Sequence, residues 1–196
     1  MDAKLFLLHT LSPLHAGTGR GVGMIDLPIA REKATGIPYL PGSSLKGVLR
    51  DACEDEAIRT KVFGPNTNNA ELHAGSVNFS DLRMLLFPAR SLRGTFAWVT
   101  SPLLLRRLQR DAQAANFSSF DSLEVPEPED TACFVTTENC KITNTNNQVV
   151  LEDLELSAER KASIKTWADE LGTHLFAKDT YWKDASMPAF VLFLMT

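Results

Sequence analysis

The chain has 196 residues, of which 44% are hydrophobic, and its formal net charge at pH 7 is −4. This length allows one or two domains with a substantial core, and the composition is that of a globular protein, not a disordered one. No apolar run reaches the about 18 residues that a bilayer span requires, so we expect no membrane partner. The three cysteines lack CxxC spacing, which favours free thiols in a reducing cytoplasm over a zinc site.

Charge is unevenly distributed along the chain. Residues 1–50 contain six Lys/Arg against three Asp/Glu, residues 80–110 contain six against one, and residues 120–160 contain two against ten. An acidic lobe on a basic body can bind a polyanion with one side and dock onto a basic neighbour with the other. Ordinary solvated surface explains the same distribution equally well.

The N-terminal residues predict a strand followed by a glycine-rich loop. Lys4–Leu11 is an apolar run that ends at Ser12-Pro13, which indicates a buried strand. In residues 16–23, AGTGRGVG, glycine takes every second position. This pattern is typical of a loop whose backbone comes close to another group.

Residues 41–44, PGSS, are expected to begin a helix whose first amides are capped by Ser43 or Ser44. Lys46 and Arg50 are four residues apart and share one face of this helix. The apolar spacing predicts a second, buried face. That face is expected to consist of Leu45, Val48, Leu49 and Ala52.

Further strands and two more helices are predicted downstream. A basic link, residues 90–94 (RSLRG), joins the first two of these strands, and residues 121–130 (DSLEVPEPED) form an acidic connector. The predicted strands are 76–87, 95–99, two hairpin arms at 132–136 and 149–151 around the polar residues 143–147, and 190–195. One helix begins at Thr100-Ser101-Pro102 and buries Leu104, Leu108 and Ala112; the other spans 157–176 and buries Ile164, Trp167, Ala168, Leu171 and Leu175.

This order of elements predicts an α+β fold of the ferredoxin-like (RRM-like) kind, an antiparallel sheet with helices on one face plus loop and hairpin insertions. We expect residues 1–196 to form a single domain. Its basic core covers about 1–115, and an acidic connector, hairpin and helix insertion covers about 120–180. Because Thr196 directly follows an apolar strand, truncation at the C-terminus is one interpretation.

The glycine loop does not match the nucleotide-binding fingerprints. The sixth position of a G-x-G-x-x-G motif would be Val22 counted from Gly17 and Met24 counted from Gly19. Residues 42–47, GSSLKG, resemble a P-loop in composition only. A surface for phosphates remains, formed by exposed loop amides and the helix start with Lys46. A plain glycine-rich turn beside a capped helix stays open as the alternative.

Residues 14–50, LHAGTGRGVGMIDLPIAREKATGIPYLPGSSLKGVLR, closely resemble the RAMP-type backbone subunits of Cmr (type III-B) CRISPR effector complexes, and less closely those of Csm (type III-A) complexes. Residues 62–65 and 75–101 agree with this resemblance. It implies a RAMP fold and a subunit that binds crRNA and target RNA. It also implies head-to-tail assembly with copies of itself and other Cmr-type subunits, and metal-dependent endoribonuclease cleavage of target RNA at regular intervals in antiviral defence.

The resemblance also implies site residues. Asp26, in the motif IDLPI at 25–29, matches the family's catalytic aspartate and would hold Mg²⁺ or a similar divalent cation. His15 is a weaker catalytic candidate. A turn aspartate that caps amides and a satisfied strand-end histidine are the respective structural alternatives. The implied RNA-binding residues are Gly17, Thr18, Gly19, Arg20, Gly21, Ser43, Ser44, Lys46 and Arg50.

Two other functions compete with this interpretation. Members of the family continue beyond this length with an acidic and aromatic segment that is not found here, so a non-catalytic RNA-binding scaffold is the main alternative. A Cas-six-type processing nuclease shares the fold, but its glycine motif lies near the C-terminus. For Phe96 and Trp98, which share a strand face, core packing is favoured over base stacking. Arg106, Arg107 and Arg110 are expected at the surface or in subunit contacts.

Overall fold

The computed structural model describes residues 2–19, 27–69, 71–137, 140–176 and 187–193. The chain forms two compact units: the sheet unit, residues 1–10 and 85–196, and the arm unit, residues 11–84. The helices are α1 (Gly42–Asp51), α2 (Glu56–Phe63), α3 (Pro102–Ala114) and α4 (Ala162–Leu175). The strands are β1 (Tyr39–Leu40), β2 (Leu82–Arg83), β3 (Phe87–Arg90), β4 (Phe96–Thr100), β5 (Ala132–Val135), β6 (Gln148–Leu151), β7 (Leu154–Arg160) and β8 (Phe190–Phe193). Among the described residues, no helix is both long and apolar enough for a membrane span.

The sheet unit is built on a six-stranded sheet with the order β3-β4-β8-β5-β7-β6. Strand β8 lies in the middle, parallel to β4 and antiparallel to β5, and β5 is parallel to β7. The sheet is therefore mixed and not purely antiparallel as expected. Helix α3 connects β4 to β5 and α4 connects β7 to β8, so each connection skips one strand. The predicted α+β class is confirmed.

Both helices of the sheet unit pack on one face of the sheet, as predicted. Neighbouring strand residues point to opposite faces, so that Trp98 and Phe190 join the helix-covered cluster while Val99 and Val191 join a second cluster. Each large side chain that is fully buried here contributes about 1.5–3 kcal/mol. The prediction that Trp98 packs in the core is confirmed. Leu105, Leu108, Ala112, Ile164, Trp167, Ala168 and Leu171 form the helical side of the first cluster.

The acidic connector is fixed against both of these helices. Gln109 of α3 donates from Nε2 to the carbonyls of Phe120 at 2.9 Å and Leu123 at 2.8 Å. Trp167 of α4 donates from Nε1 to the carbonyl of Glu124 at 2.7 Å. An ion pair of 2.7 Å joins Arg106 to Glu127. The connector therefore has a defined position, because its backbone is tied at Leu123 and Glu124 and its Glu127 side chain is ion-paired.

The N-terminal segment differs from its prediction. Within residues 2–10 no strand forms, so the predicted strand Lys4–Leu11 is wrong. The segment still alternates: Leu5 and Leu7 pack against the helix-covered cluster, while Phe6 and Leu8 are 79% and 53% exposed. The apolar run predicted a fully buried strand, whereas only alternate side chains of this segment are partly buried and the segment pairs with no strand among the described residues.

The second half of the sheet also differs from its prediction. Strands β5 and β6 are not arms of one hairpin: β5 pairs with β7 and β8, and β6 pairs with β7 through the tight turn at Glu152, whose φ is 49°. Residues 157–160 belong to β7, so α4 begins at Ala162. Helix α2 was not predicted, although Asp55 before it accepts a hydrogen bond from the amide of Ile58 at 2.9 Å and so caps it.

The cysteines behave as free thiols. Burial raises the pKa of the Cys133 thiol to about 12, and the nearby Cys140 thiol adds to the shift. Because the thiolate is the reactive form, Cys133 is expected to resist alkylation. Cys53 and Cys140 are partly exposed.

We therefore expect iodoacetamide at pH 8 to modify Cys53 and Cys140 but not Cys133 in the native protein, and all three in guanidinium chloride. Peptide mapping by mass spectrometry measures this. Since the folded protein retains the Cys133 proton longer than the unfolded chain, stability is expected to fall as the pH rises from about 9 toward 12. Rapid native labelling of Cys133 at pH 8 would contradict this assignment.

Candidate nucleic-acid interface

The described part of the glycine loop lies on a two-stranded arm formed by residues 15–19 and 27–31. Gly17 and Ile29 form an antiparallel bridge, and the amide of Thr18 donates to the carbonyl of Pro28 at 2.9 Å. The amide of Ala30 donates to the carbonyl of Ala16 at 2.7 Å. Pro28 fits this position because the arm uses its carbonyl, so that the missing N–H costs no hydrogen bond.

Glycine at position 17 is required by packing inside the arm. A Cβ atom there would lie 2.6 Å from Cβ and 3.2 Å from Cδ1 of Leu27. Any side chain would therefore push the two strands of the arm apart. Gly19 has open space around it, but its φ of 94° favours glycine. Two of the alternating glycines thus have structural reasons, and the Thr18 amide is already used within the arm.

His15 is tied to the opposite strand of the arm. Its Nε2 lies 2.8 Å from the carbonyl oxygen of Leu27. Because a carbonyl can only accept, Nε2 donates, and Nδ1 is left as the nitrogen for an incoming ligand. The side chain is exposed. Asp26 directly precedes Leu27 in the sequence, and the predicted site residues Asp26, Arg20 and Gly21 lie outside the described residues.

The arm continues into the strand that leads to α1. Arg31 and Pro38 form an antiparallel bridge, and the amide of Tyr39 donates to the carbonyl of Ala30 at 3.1 Å. Strand β1 then pairs with β2 and ends one residue before Pro41, which precedes α1. The arm and α1 therefore belong to one continuous hydrogen-bonded meander, and α1 cannot move far without disturbing the arm.

The start of α1 is capped by a residue that the sequence did not reveal. No side chain of the predicted caps Ser43 and Ser44 bonds to the helix start, so that prediction is wrong. Instead, the amide of Gly42 donates to Oδ1 of Asp81 at 2.9 Å. Asp81 precedes β2, whose pairing with β1 brings the carboxylate to the positive end of the helix. Only this long-range pairing reveals Asp81, because it lies 39 residues away.

This capping changes how α1 can bind a phosphate. The Gly42 amide is occupied, and the Asp81 carboxylate repels an anion from that end of the helix. The exposed hydroxyl groups of Ser43 and Ser44 remain as donors, with Lys46 in the next turn. Within the described residues, Lys46 forms no ion pair.

Arg50 lies on the same helix but makes different contacts. Its guanidinium donates to the carbonyl of Gly64 and, at 2.8 Å, to Oδ1 of Asn66. These bonds tie the last turn of α1 to the end of α2. Lys46 is consequently the more available cation of the predicted pair, while part of the donor capacity of Arg50 already serves the fold.

The apolar face predicted for α1 is wrong in three of its four positions. Val48 is 68% and Leu49 is 40% exposed and Ala52 is exposed too, whereas Leu45 is half-buried. The helix packs instead through its glycine: a Cβ atom on Gly42 would lie 2.3 Å from the carbonyl oxygen of Phe79 and 2.7 Å from that of Ser80. Helical periodicity correctly identified the element, but it could not show that the apolar side faces outward.

Because Gly42 packs against backbone atoms and Gly47 does not, replacing each by alanine should change the stability of the arm unit in opposite directions. Gly42→Ala should destabilise the arm unit by about 1–3 kcal/mol, because backbone atoms that cannot rotate away would be displaced. Gly47 is the matched control: nothing lies within 4 Å of its Cβ position, so Gly47→Ala should stabilise by up to about 1 kcal/mol. Urea unfolding curves measure both changes, and equal stability of the two variants would contradict the packing described.

The described residues hold no group of three or more His, Cys, Asp or Glu side chains that could bind a metal ion. A Mg²⁺ ion held by one carboxylate, with water and RNA phosphates as its other ligands, does not need such a group. The described residues therefore provide hydrogen-bond donors and a positive charge at Ser43, Ser44 and Lys46, and a hydrogen-bonded imidazole at His15.

Sequence comparisons with known proteins match this chain to the RAMP superfamily and to two CRISPR endoribonucleases. Residues 7–177 match the RAMP superfamily. The CRISPR system Cmr endoribonuclease Cmr4 of Pyrococcus furiosus is 41% identical over 165 residues. The CRISPR system Cms endoribonuclease Csm3 of Methanothermobacter thermautotrophicus is 42% identical over 55 residues, which are 26% of this chain and 22% of that protein.

Comparison with solved structures shows that the fold is also similar to that of a Cmr4 protein. The crystal structure of oligomeric Cmr4 from Pyrococcus furiosus superposes with a TM-score of 0.74 at 31% identity, covering 94% of this chain and 66% of that chain. In the sequence comparison with Cmr4, the match covers 82% of this chain and 54% of the relative. The chain thus spans about half the length of the curated relative that it matches.

Proposed function

Because the chain belongs to the RAMP superfamily, we propose that it is a crRNA-binding backbone subunit of a type III-B CRISPR effector complex that cleaves bound target RNA. The observation that carries this proposal is the 41% identity to a Cmr endoribonuclease over 82% of the chain. Copies of the subunit associate head to tail and with other Cmr-type subunits in the cytoplasm. The acidic connector supports this assembly because its backbone is tied to α3 and α4, which gives an acidic segment a defined position for a basic neighbour.

The arm unit supports the RNA-binding part of the proposal. The Ser43 and Ser44 hydroxyls and Lys46 offer donors to the RNA backbone, and such contacts bind without sequence preference. The arm presents Gly19 and the imidazole of His15, whose Nδ1 can bond to RNA. Arg50 donates hydrogen bonds to residues at the end of α2, and these bonds fix the position of α1, the helix that contains Lys46.

We expect Lys46→Ala to weaken binding of single-stranded RNA for every sequence tested, since phosphates carry no sequence information. The slope of log K against log salt should become shallower by about 0.7, the value for one lost phosphate contact. Fluorescence anisotropy with labelled RNA at several salt concentrations measures both. Lys33→Ala, an exposed lysine of the arm unit, is the control. Equal losses in both variants, or none in Lys46→Ala, would remove Lys46 from the interface.

For catalysis, we propose that Asp26 is the acidic residue of the cleavage site. A divalent cation held there, mostly through water, would neutralise charge on the scissile phosphate. Attack by the adjacent 2′-hydroxyl on phosphorus leaves a cyclic phosphate and a free 5′-hydroxyl, and this step depends mainly on alignment. The arm contributes to that alignment by fixing Leu27, the next residue, against Gly17 and His15.

Asp26→Asn should reduce target-RNA cleavage by the reconstituted complex by at least about 100-fold, because it removes the charge that the cation needs. Binding of crRNA and target RNA should persist, and EDTA or a 2′-deoxy substitution at the cut position should also block cleavage. Asp51→Asn, an exposed aspartate at the end of α1, is the control. Equal cleavage by wild-type and Asp26→Asn complexes would leave the chain as a non-catalytic scaffold.

A further inference from the structure

Two arginine side chains of the sheet unit converge on Thr143. Arg93, from the basic link between β3 and β4, has its Nη1 3.4 Å from the carbonyl oxygen of Thr143. Arg160, at the end of β7, has its Nη2 3.3 Å from the Thr143 hydroxyl oxygen. Lys141 lies two residues earlier and is exposed, as are both arginines. We call these four residues the Thr143 cluster.

The backbone on both sides of the cluster is held in place. The amide of Leu92 donates to the carbonyl of Val150 at 3.1 Å, which docks the basic link onto β6. Gly94, with a φ of 74°, lies so close to Ile142 that a Cβ atom would be 3.1 Å from its Cγ2. On the other side, Oδ1 of Asn144 accepts hydrogen bonds of 2.9 Å from the amides of Asn146 and Gln148. Thr143 therefore precedes a turn that fixes its position.

No carboxylate of the described residues is paired with a charge of this cluster. Within the described part of the chain, Arg93, Lys141 and Arg160 form no ion pair, and both arginines bond to neutral oxygen atoms. Other cations of the sheet unit do form ion pairs. Arg90 Nε lies 3.6 Å from Oε2 of Glu152, and Lys161 Nζ lies 3.7 Å from Oε1 of Glu159. Among the described residues, these like charges thus lie near one another without a carboxylate partner, an arrangement that binding of an anion stabilises.

We propose that the Thr143 cluster binds a backbone phosphate of an RNA strand, as a contact separate from those of the arm unit. Two guanidinium groups offer several N–H donors to phosphate oxygens, and the Thr143 hydroxyl adds one more. The exposed residues that follow Thr143 in the turn, Thr145, Asn146 and Asn147, are polar. The cores of protein–protein interfaces are enriched in apolar and aromatic side chains, whereas nucleic-acid interfaces are more polar, more positively charged and wet. The anion site rests on the geometry alone, and its assignment to RNA rests on the proposed function.

The test compares the full chain with its Arg93→Gln/Arg160→Gln double variant, using a labelled single-stranded RNA. The double variant should bind more weakly, and its salt slope should be shallower by about 1.4, the value for two lost phosphate contacts. Arg110→Gln is the matched control, because Arg110 is exposed and bonded to Asp111 at 2.9 Å. It should bind like the wild type. Thermal melting verifies that all variants are folded.

Three other results would contradict the RNA contact at the Thr143 cluster, and they differ in whether the proposed function also fails. If the double variant binds RNA like the wild type while Lys46→Ala binds weakly, the Thr143 cluster is not an RNA contact and the proposed function stands. If the wild-type chain binds no RNA under low salt, both fall. If the double variant binds RNA normally but loses self-association in sedimentation velocity, the cluster contacts a neighbouring copy and the RNA assignment is wrong.

Discussion

The contact between Gly17 and Leu27 is the constraint on which the arm unit depends. Only a residue without a side chain allows Leu27 to lie across the opposite strand at this distance. Closure of the arm then sets the bridge at Ile29, the pairing of Ala30 with Tyr39 and the course of β1 into α1. The position of Lys46 in α1 therefore depends on the Gly17–Leu27 contact, because one hydrogen-bonded meander connects the arm to α1.

Local patterns predicted the elements whose partners are local. The apolar stripe of α4 and the proline-started α3 were correct because helix burial repeats within a few residues. The pairing of β5 with β7 and β8 was not predicted, because alternation shows which side chains are buried but not which strand lies alongside. The order of the predicted elements gave the α+β class, and the RAMP resemblance implied the same fold.

In the candidate site, too, local patterns identified some residues, while the contacts that depend on distant residues were not predicted. Gly17, Ser43 and Lys46 were found from their spacing and from the family resemblance, and the arm and α1 place them in one unit. The roles of Asp81 and Arg50 were missed, because each depends on a bond to a residue 14 or more positions away. Asp81 accepts a hydrogen bond from the Gly42 amide, which had been expected to be free for a phosphate, and Arg50 ties the last turn of the helix that contains Lys46 to the end of α2.

RNA binding through the arm unit is the central claim, and photo-crosslinking tests it most directly. Single-stranded RNA carrying 4-thiouridine would be bound to the full chain at low salt, irradiated, digested and mapped by mass spectrometry. The account predicts crosslinked peptides from residues 15–50, lost when excess unlabelled RNA competes. Crosslinks that fall entirely outside residues 15–50 would contradict the claim that the arm and α1 bind RNA.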